Sequence, residues 1–380
     1  MDISKFEGIQ TPFYYYDREL LTKTLDVIET EISKADNYHL HYAVKANVNN
    51  DVLQMIAGRG FGADCVSGWE IEACVKAGFD PKKIVFAGVA KSDWEIRMAL
   101  ETGIDYFNVE SIPELEAINE QAAQMGVVAR VSLRINPNVG AHTHANITTG
   151  LAENKFGIDM ADMIPTIHLT ATMRNVRFVG LHFHIGSQIL EMDDFIALCK
   201  RVNELQDKLE AEGITEIENI NVGGGLGIDY NEPEKNPVPD FEAYFATYRE
   251  HLKLRKGQRL HFELGRAVVG QMGSLITRVI YVKTNPMKQF AILDAGFSDL
   301  IRPALYGAYH KIENLSAPDA PLERYDVVGP ICESTDVFAE NYMLPGCKRG
   351  QLLALRSAGA YGEIMASQYN CRPLPKGYLM

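Results

Sequence analysis

The 380-residue chain has 46% apolar and 23% charged residues, an ordinary globular composition, and is long enough for one large α/β barrel with a smaller companion domain. Its formal net charge of −13 argues against nucleic acid, whose phosphates it would repel. No stretch approaches the roughly 20 apolar residues of a membrane span, and the opening MDISKFEGIQ carries Asp2, Lys5 and Glu7 where a signal peptide needs an apolar core. Cys65, Cys74, Cys199, Cys332, Cys347 and Cys371 are scattered without a C-x-x-C pair, which suits free thiols in a reducing cytoplasm.

The first strand-like run is TPFYYYD (11–17), followed by a helical stretch over 17–34. Eight short β-rich runs then recur: HLHYAVK (39–45), GADCVS (62–67), KIVFAG (83–88), DYFNVES (105–111), ARVSLRIN (129–136), FVGLHFHIGS (178–187), ENINVGGG (218–225) and LHFELGR (260–266). Amphipathic helical stretches fall between them at 69–77, 93–102, 112–125, 193–212 and 241–254. This alternation predicts a TIM-like (β/α)8 barrel over 27–270, with a doubly wound sheet as the competing architecture. After Gly270, SLITRVIYVKT, QFAILDAG, RYDVVGPI and QLLALRSAG alternate apolar and polar residues between turns. They predict an antiparallel β domain over 271–380, joined by residues 1–26 with TPFYYYD as an edge.

Strand after strand ends on a reactive residue or a glycine: Lys45, Ser67, Gly88, Arg134, His184, Gly223 to Gly225 and Glu263. In such barrels the C-terminal strand ends build the active site. A buried Lys45 amine near other cations could lose its proton and bond covalently to a carbonyl; the plainer reading is a snorkelling surface lysine. The NVGGGLGI segment could bring bare amides to a phosphate, or be a tight turn; lacking G-x-G-x-x-G, it does not favour a dinucleotide fold. Arg266, beside Gly265, offers a charged donor to a phosphate or carboxylate. Glu263 could sit against a pyridine nitrogen or pair with Arg134.

His182 and His184 share one strand face, which leaves open a metal pair, a ring stacked on a cofactor, or a satisfied core histidine. His39, His41 and His261 lie scattered near strand ends, and HTH (142–144) in a loop, with no matching ligand set; no metal is expected. In the β domain, Arg302 and Tyr306 lie four apart, Cys332 and Glu333 are adjacent, and Tyr361 is flanked by small residues. Each is weak alone, and Cys332 reads first as a small hydrophobe.

Eight phrases, in order along nearly the whole chain, resemble the fold-type III pyridoxal-phosphate (PLP) decarboxylases, and among them the diaminopimelate decarboxylase family. They are YAVKAN (42–47), TGLAENKFGI (149–158), GLHFHIGSQ (180–188), NVGGGLGI (221–228), ELGR (263–266), DAGFSDLIRPALYGAYH (294–310), GPICESTD (329–336) and GAYG (359–362). The resemblance implies an alanine-racemase-like barrel plus β domain, PLP as cofactor, and decarboxylation of meso-2,6-diaminopimelate to L-lysine. It implies that Lys45 holds PLP and that His184 stacks on its ring. Ser187, Gly223, Gly224, Gly225, Gly265 and Arg266 would bind its phosphate, and Glu263 its ring nitrogen. Arg266, Arg302, Tyr306, Glu333 and Tyr361 would contact substrate, Tyr361 also the cofactor, and Cys332 would be the proton donor. The CES segment would come from a second subunit, making the active unit a homodimer. Two departures stand out: Leu264 replaces the family's usual proline, and Glu363 follows GAYG, adding a charge near the barrel mouth.

Ornithine and arginine decarboxylases are the nearest rivals, but their substrates lack a distal carboxylate and an arginine pair would repel their cationic ends. Carboxynorspermidine is not excluded by charge. An amino-acid racemase should offer a tyrosine base where this chain has Cys332 and Glu333, and a catalytically inert PLP-binding barrel would lack the β domain. A metal hydrolase is the remotest alternative.

Overall fold

The structure is a computed structural model describing residues 1–139 and 155–380. HTH (142–144) and the first six residues of TGLAENKFGI lie outside the described residues. The chain divides into two compact units, one of Leu25–Gly227 and Asp240–Gly265, the other of Met1–Thr24, Ile228–Pro239 and Arg266–Met380.

From the N-terminus, β1 (Phe13–Tyr16) and α1 (Arg18–Ile32) precede the barrel strands. Those strands are β2 (Tyr38–Ala43), β3 (Gly62–Cys65), β4 (Ile84–Phe86), β5 (Tyr106–Val109) and β6 (Ala129–Asn136), then, past the two-residue β7 (Ile158–Asp159), β8 (Val176–His182), β9 (Asn219–Asn221) and β10 (Arg259–Leu264). Among the described residues these eight pair only in parallel, β5 onto β6 and β10 back onto β2, so the sheet closes and no doubly wound sheet forms. Between them run α2 (Asn50–Ala57), α3 (Gly68–Ala77), α4 (Asp93–Thr102), α5 (Ile112–Met125), α6 (Met163–Thr172), α7 (Met192–Ala211) and α8 (Phe241–His251).

The two-residue strand period sorts the side chains. One face carries Phe262 against Tyr244, Phe245 and Tyr248 of α8, with ring centroids 5.8, 4.9 and 5.1 Å away. The alternate residues, His261 and Glu263, meet His41, Asn219, His182, Asn221 and Asn108 from other strands on the opposite face. Around His261 and Glu263 the barrel interior is therefore polar where such interiors are ordinarily packed with branched apolar residues, while Val85, Tyr106 and Val179 form a small apolar cluster. Three of the helices start on one device: Ser67, Ser92 and Ser111 cap α3, α4 and α5, and the glutamate three residues on (Glu70, Glu95, Glu114) binds a backbone amide of the incoming loop. Ser67, one of the strand-end residues, is thus a helix cap.

The second unit contains the short helices α9 (Arg266–Val269) and α10 (Arg302–Tyr306). Its strands are β11 (Gly273–Thr284), β12 (Gln289–Leu293), β13 (Ile312–Asn314), β14 (Leu322–Val328), β15 (Val337–Pro345), β16 (Leu352–Leu355) and β17 (Lys376–Leu379). The order is β13-β16-β11-β12-β14-β15, antiparallel except where β12 meets β14. The strand from TPFYYYD is not an edge: β1 pairs antiparallel with β11 and parallel with β17, because the short KGYL run supplies a partner for its outer side.

The glycine turn after β9 is required by packing alone. A Cβ on Gly224 would lie 1.9 Å from the Glu263 carbonyl oxygen, and one on Gly223 would lie 2.4 Å from that of Phe183. Gly224→Ala should therefore cost about 3 kcal/mol of stability or more. Thermal melting checks this, and a midpoint within about 2 °C of the parent would show that the turn has slack.

Candidate active site

Glu263, at the end of β10, is 7% exposed and has its carboxylate saturated by neighbouring strands. Oε2 meets His182 Nε2 at 2.9 Å, while Oε1 accepts from Asn221 Nδ2 at 2.7 Å and Asn108 Nδ2 at 3.1 Å. Burial would push its pKa up, but His182, through charge and hydrogen bond, then Lys45 and His41, hold it well below the carboxylate range. The alternative Glu263–Arg134 pair does not form: Arg134 Nη1 donates to Glu110 Oε1 at 2.9 Å. His182 is half satisfied, its Nε2 on Glu263 while buried Nδ1 has no partner among the described residues, and among those residues no group of three histidine, cysteine or acidic side chains could hold a metal.

Lys45 sits in a single 3-10 turn (Val44–Ala46) directly after β2. Its side chain is 40% exposed, yet Nζ is 3.0 Å from Oδ2 of the fully buried Asp64 on β3, so it is not a snorkelling lysine. Burial and the Glu263 charge raise the Asp64 pKa, opposed by Lys45, and Asp64 Oδ1 has no partner. Gly265 packs against this turn, since a Cβ there would lie 3.0 Å from Ala46 Cβ. His184 follows β8; burial, then the Arg134 and Lys45 charges, push its pKa well below the ordinary value, leaving a neutral ring. The loop carrying half-buried Ser187 is tied to the glycine turn, with Ile189 N–H donating to Gly225 O at 2.9 Å and Gly227 N–H to Ile189 O at 2.8 Å. Lys45, Asp64, His184, Glu263 and the turn of Gly223 to Gly225 thus share the strand ends of the barrel.

In the second unit, Arg266 and Arg302 open α9 and α10 and are 6% and 8% exposed. Their Nη1 atoms converge on one oxygen, Tyr230 Oη, at 2.6 and 2.8 Å. Arg266 also lies over the Tyr361 ring at 5.0 Å, and Arg302 over the Tyr230 ring at 5.5 Å. Among the described residues Arg302 has no carboxylate partner. Tyr306, one turn further along α10, is half-buried. Cys332 and Glu333 are exposed on a loop pinned by buried Asp336, which accepts from Phe297 N–H at 2.6 Å and Ile331 N–H at 2.7 Å. Tyr369 donates to Glu333 Oε1 at 2.7 Å, and Cys332 N–H to Asn370 Oδ1 at 3.2 Å. Glu363 is not a spare charge: it accepts from Tyr16 Oη at 2.6 Å and Gly377 N–H at 3.0 Å within this unit.

Residues 22–270 match the family described as pyridoxal-dependent decarboxylase, pyridoxal binding domain. The chain is 67% identical over 376 residues to the diaminopimelate decarboxylase of Bacteroides thetaiotaomicron, covering 99% of this chain and 97% of that one. It belongs to the diaminopimelate decarboxylase family. The crystal structure of the Helicobacter pylori diaminopimelate decarboxylase complexed with L-lysine superposes with a TM-score of 0.93 at 38% identity, over 99% of this chain and 93% of that one. The crystal structure of the diaminopimelate decarboxylase of M. jannaschii in co-complex with L-lysine gives 0.91 at 36% identity, over 100% of this chain and 89% of that one. The decarboxylase is therefore a PLP enzyme with the barrel and mostly antiparallel β domain of its family. The donor set fits that cofactor: a primary amine, a carboxylate held ionised, a neutral flat imidazole and a glycine turn.

Sequence reasoning missed Asp64, Asn108, Asn221, Tyr230 and Asp336. The first three carried a usable signal, polar residues within strands that should be apolar on both faces; Tyr230 carried none. The Glu263 cluster makes a pH-dependent prediction. With its folded pKa below the unfolded value, the carboxylate contributes stability above the ordinary glutamate range and loses it only as pH falls through the folded value. In His182→Phe burial dominates, the folded pKa rises above the unfolded one, and the resulting penalty is present at high pH and relieved as pH falls. The variant should be about 3 kcal/mol less stable near pH 8, with the gap narrowing towards about pH 5; a gap of constant size in chemical denaturation would contradict this.

Proposed function

We propose that the enzyme decarboxylates meso-2,6-diaminopimelate to L-lysine and CO2 at Lys45, the last step of lysine synthesis by this route. The observation that carries the substrate class is Arg302, a buried guanidinium with no carboxylate partner among the described residues. An uncompensated buried charge costs several kcal/mol, so such a site is built for an anion. Diaminopimelate brings a distal carboxylate; ornithine and arginine bring a cation there, which Arg302 and Arg266 repel.

Bound PLP supplies a conjugated ring that takes up the electron pair left when the substrate carboxylate departs as CO2. Lys45 Nζ holds the cofactor, and the Asp64 carboxylate, 3.0 Å away, takes the proton that the amine must lose to do so. Glu263, which keeps its negative charge, would hold the ring nitrogen, and His184, a neutral imidazole, would offer its flat face to the ring. Ser187, Gly223, Gly224, Gly225, Gly265 and Arg266 bind that phosphate. Arg302 and Tyr306 bind the distal carboxylate with Arg266, Glu333 binds the distal ammonium, and Tyr361 contacts both substrate and cofactor. Cys332 Sγ returns a proton to the α-carbon. Support for the pairing of roles is the whole-chain likeness to relatives whose structures hold L-lysine.

Protein given PLP should acquire the visible absorption of a lysine-linked cofactor and release CO2 from meso-diaminopimelate. Lys45→Ala should lose both, while Arg302→Ala should keep the absorption and raise KM about a hundredfold, the loss of a charge-assisted pair. CO2 release from ornithine but not from diaminopimelate would sink the substrate assignment.

The exposed Cys332–Glu333 loop is the part we assign to a neighbour's active site in a homodimer. Co-expressed Lys45→Ala and Cys332→Ala chains should then recover about a quarter of parental activity, since half the dimers are mixed and each mixed dimer has one intact site. No recovery would place Cys332 in its own chain's site. Among the described residues no helix is long and apolar enough to cross a membrane, and all six cysteines are free thiols. We place the enzyme in the cytoplasm, whose reducing conditions suit those thiols.

A further inference from the structure

Tyr230 lies in the Ile228–Pro239 segment that follows the glycine turn and belongs to the β unit. Its hydroxyl oxygen accepts from two buried guanidiniums, Arg266 Nη1 at 2.6 Å and Arg302 Nη1 at 2.8 Å. A phenol has two lone pairs and one proton. Both lone pairs are occupied by cations, so the proton points away from them and is the one donor left on that oxygen. The ring is fixed as well. His310 abuts it edge-on, with centroids 5.4 Å apart at 89°, and His310 is itself held by its Nδ1–H on Arg356 O at 2.9 Å.

Arg302 gains only a neutral oxygen and an aromatic face from Tyr230, neither of which cancels its charge. The arrangement therefore holds two positive forks and one hydroxyl proton around a single point, which is the donor set a carboxylate needs. We infer that Tyr230 is a third ligand of the substrate's distal carboxylate, donating its hydroxyl proton to it while holding Arg266 and Arg302 at the spacing that carboxylate requires. The inference rests on the assignment of Arg302 to the distal carboxylate. It also accounts for why two like charges are brought to one oxygen: without a shared acceptor they would separate.

The test uses the PLP-loaded enzyme and three compounds that differ at the distal end. Meso-diaminopimelate and L-lysine both keep the distal carboxylate, whereas 1,5-diaminopentane lacks it. In Tyr230→Phe, KM for meso-diaminopimelate and the inhibition constant of L-lysine should rise by the same factor, about tenfold to a hundredfold, for a lost hydrogen bond to a charged group. The loss should fall on KM rather than kcat, and inhibition by 1,5-diaminopentane should not move. Unchanged L-lysine inhibition, or equal weakening of 1,5-diaminopentane, overturns the role. Unchanged L-lysine inhibition in Arg302→Ala would remove the assignment beneath it, and the inference with it. If only Tyr230→Phe is silent, that assignment stands and the inference alone fails.

Discussion

The ionised carboxylate of Glu263, buried inside a closed sheet, is the constraint around which the barrel is organised. A lone buried carboxylate would protonate or destabilise the fold. Here β5, β8 and β9 each direct one polar side chain at it: Asn108, His182 and Asn221. Because a strand's side chains alternate, fixing these residues on the inner face also fixes the apolar residues beside them on the outer face, where Phe262 meets α8. The polar network and the helix-packed core are thus two consequences of one register. Beneath Glu263 the polar face continues through His41 and His261, 2.8 Å apart, to Asn219.

The β unit presents the opposite electrostatic case. Glu263 is an anion whose partners are supplied by the chain, while Arg302 is a buried cation whose partners among the described residues are a neutral oxygen and an aromatic ring. A satisfied charge suits a permanent electrostatic setting for a cofactor, since its reorganisation cost is already met by folding. An unmatched charge suits a ligand that comes and goes, since binding then supplies the missing counter-charge. On the proposed assignment the two buried groups divide the roles, Glu263 serving the cofactor and Arg302 the substrate.

Most barrel elements were legible because long apolar and amphipathic runs carry their own period. The helices α2 and α6 were not read. NDVLQMIA has only two turns, and MIPTIHLTAT is rich in β-branched residues that favour strands. In the β unit β15 escaped because its burial does not alternate and its pairing with β14 shifts register, while β13 and β17 are three and four residues long. Glu363 looked like a charge left over from a familiar phrase, and only the pairing of β1 with β17 brings Tyr16 and Gly377 to it.

The sequence alone determined the barrel, its extra β domain and the reactive strand ends, because periodicity and ordered motifs are local properties of a chain. It also identified Lys45, Glu263 and Arg302 as candidates, through the company of the matching phrases. Which charges are met by the protein and which are left for a ligand was decided only by the tertiary structure. The pairing of Lys45 with Asp64, of Glu263 with His182 and of two arginines on Tyr230 joins residues 19, 81, 36 and 72 positions apart. No period or motif links such positions; they meet because folding within each unit brings distant segments of the chain together.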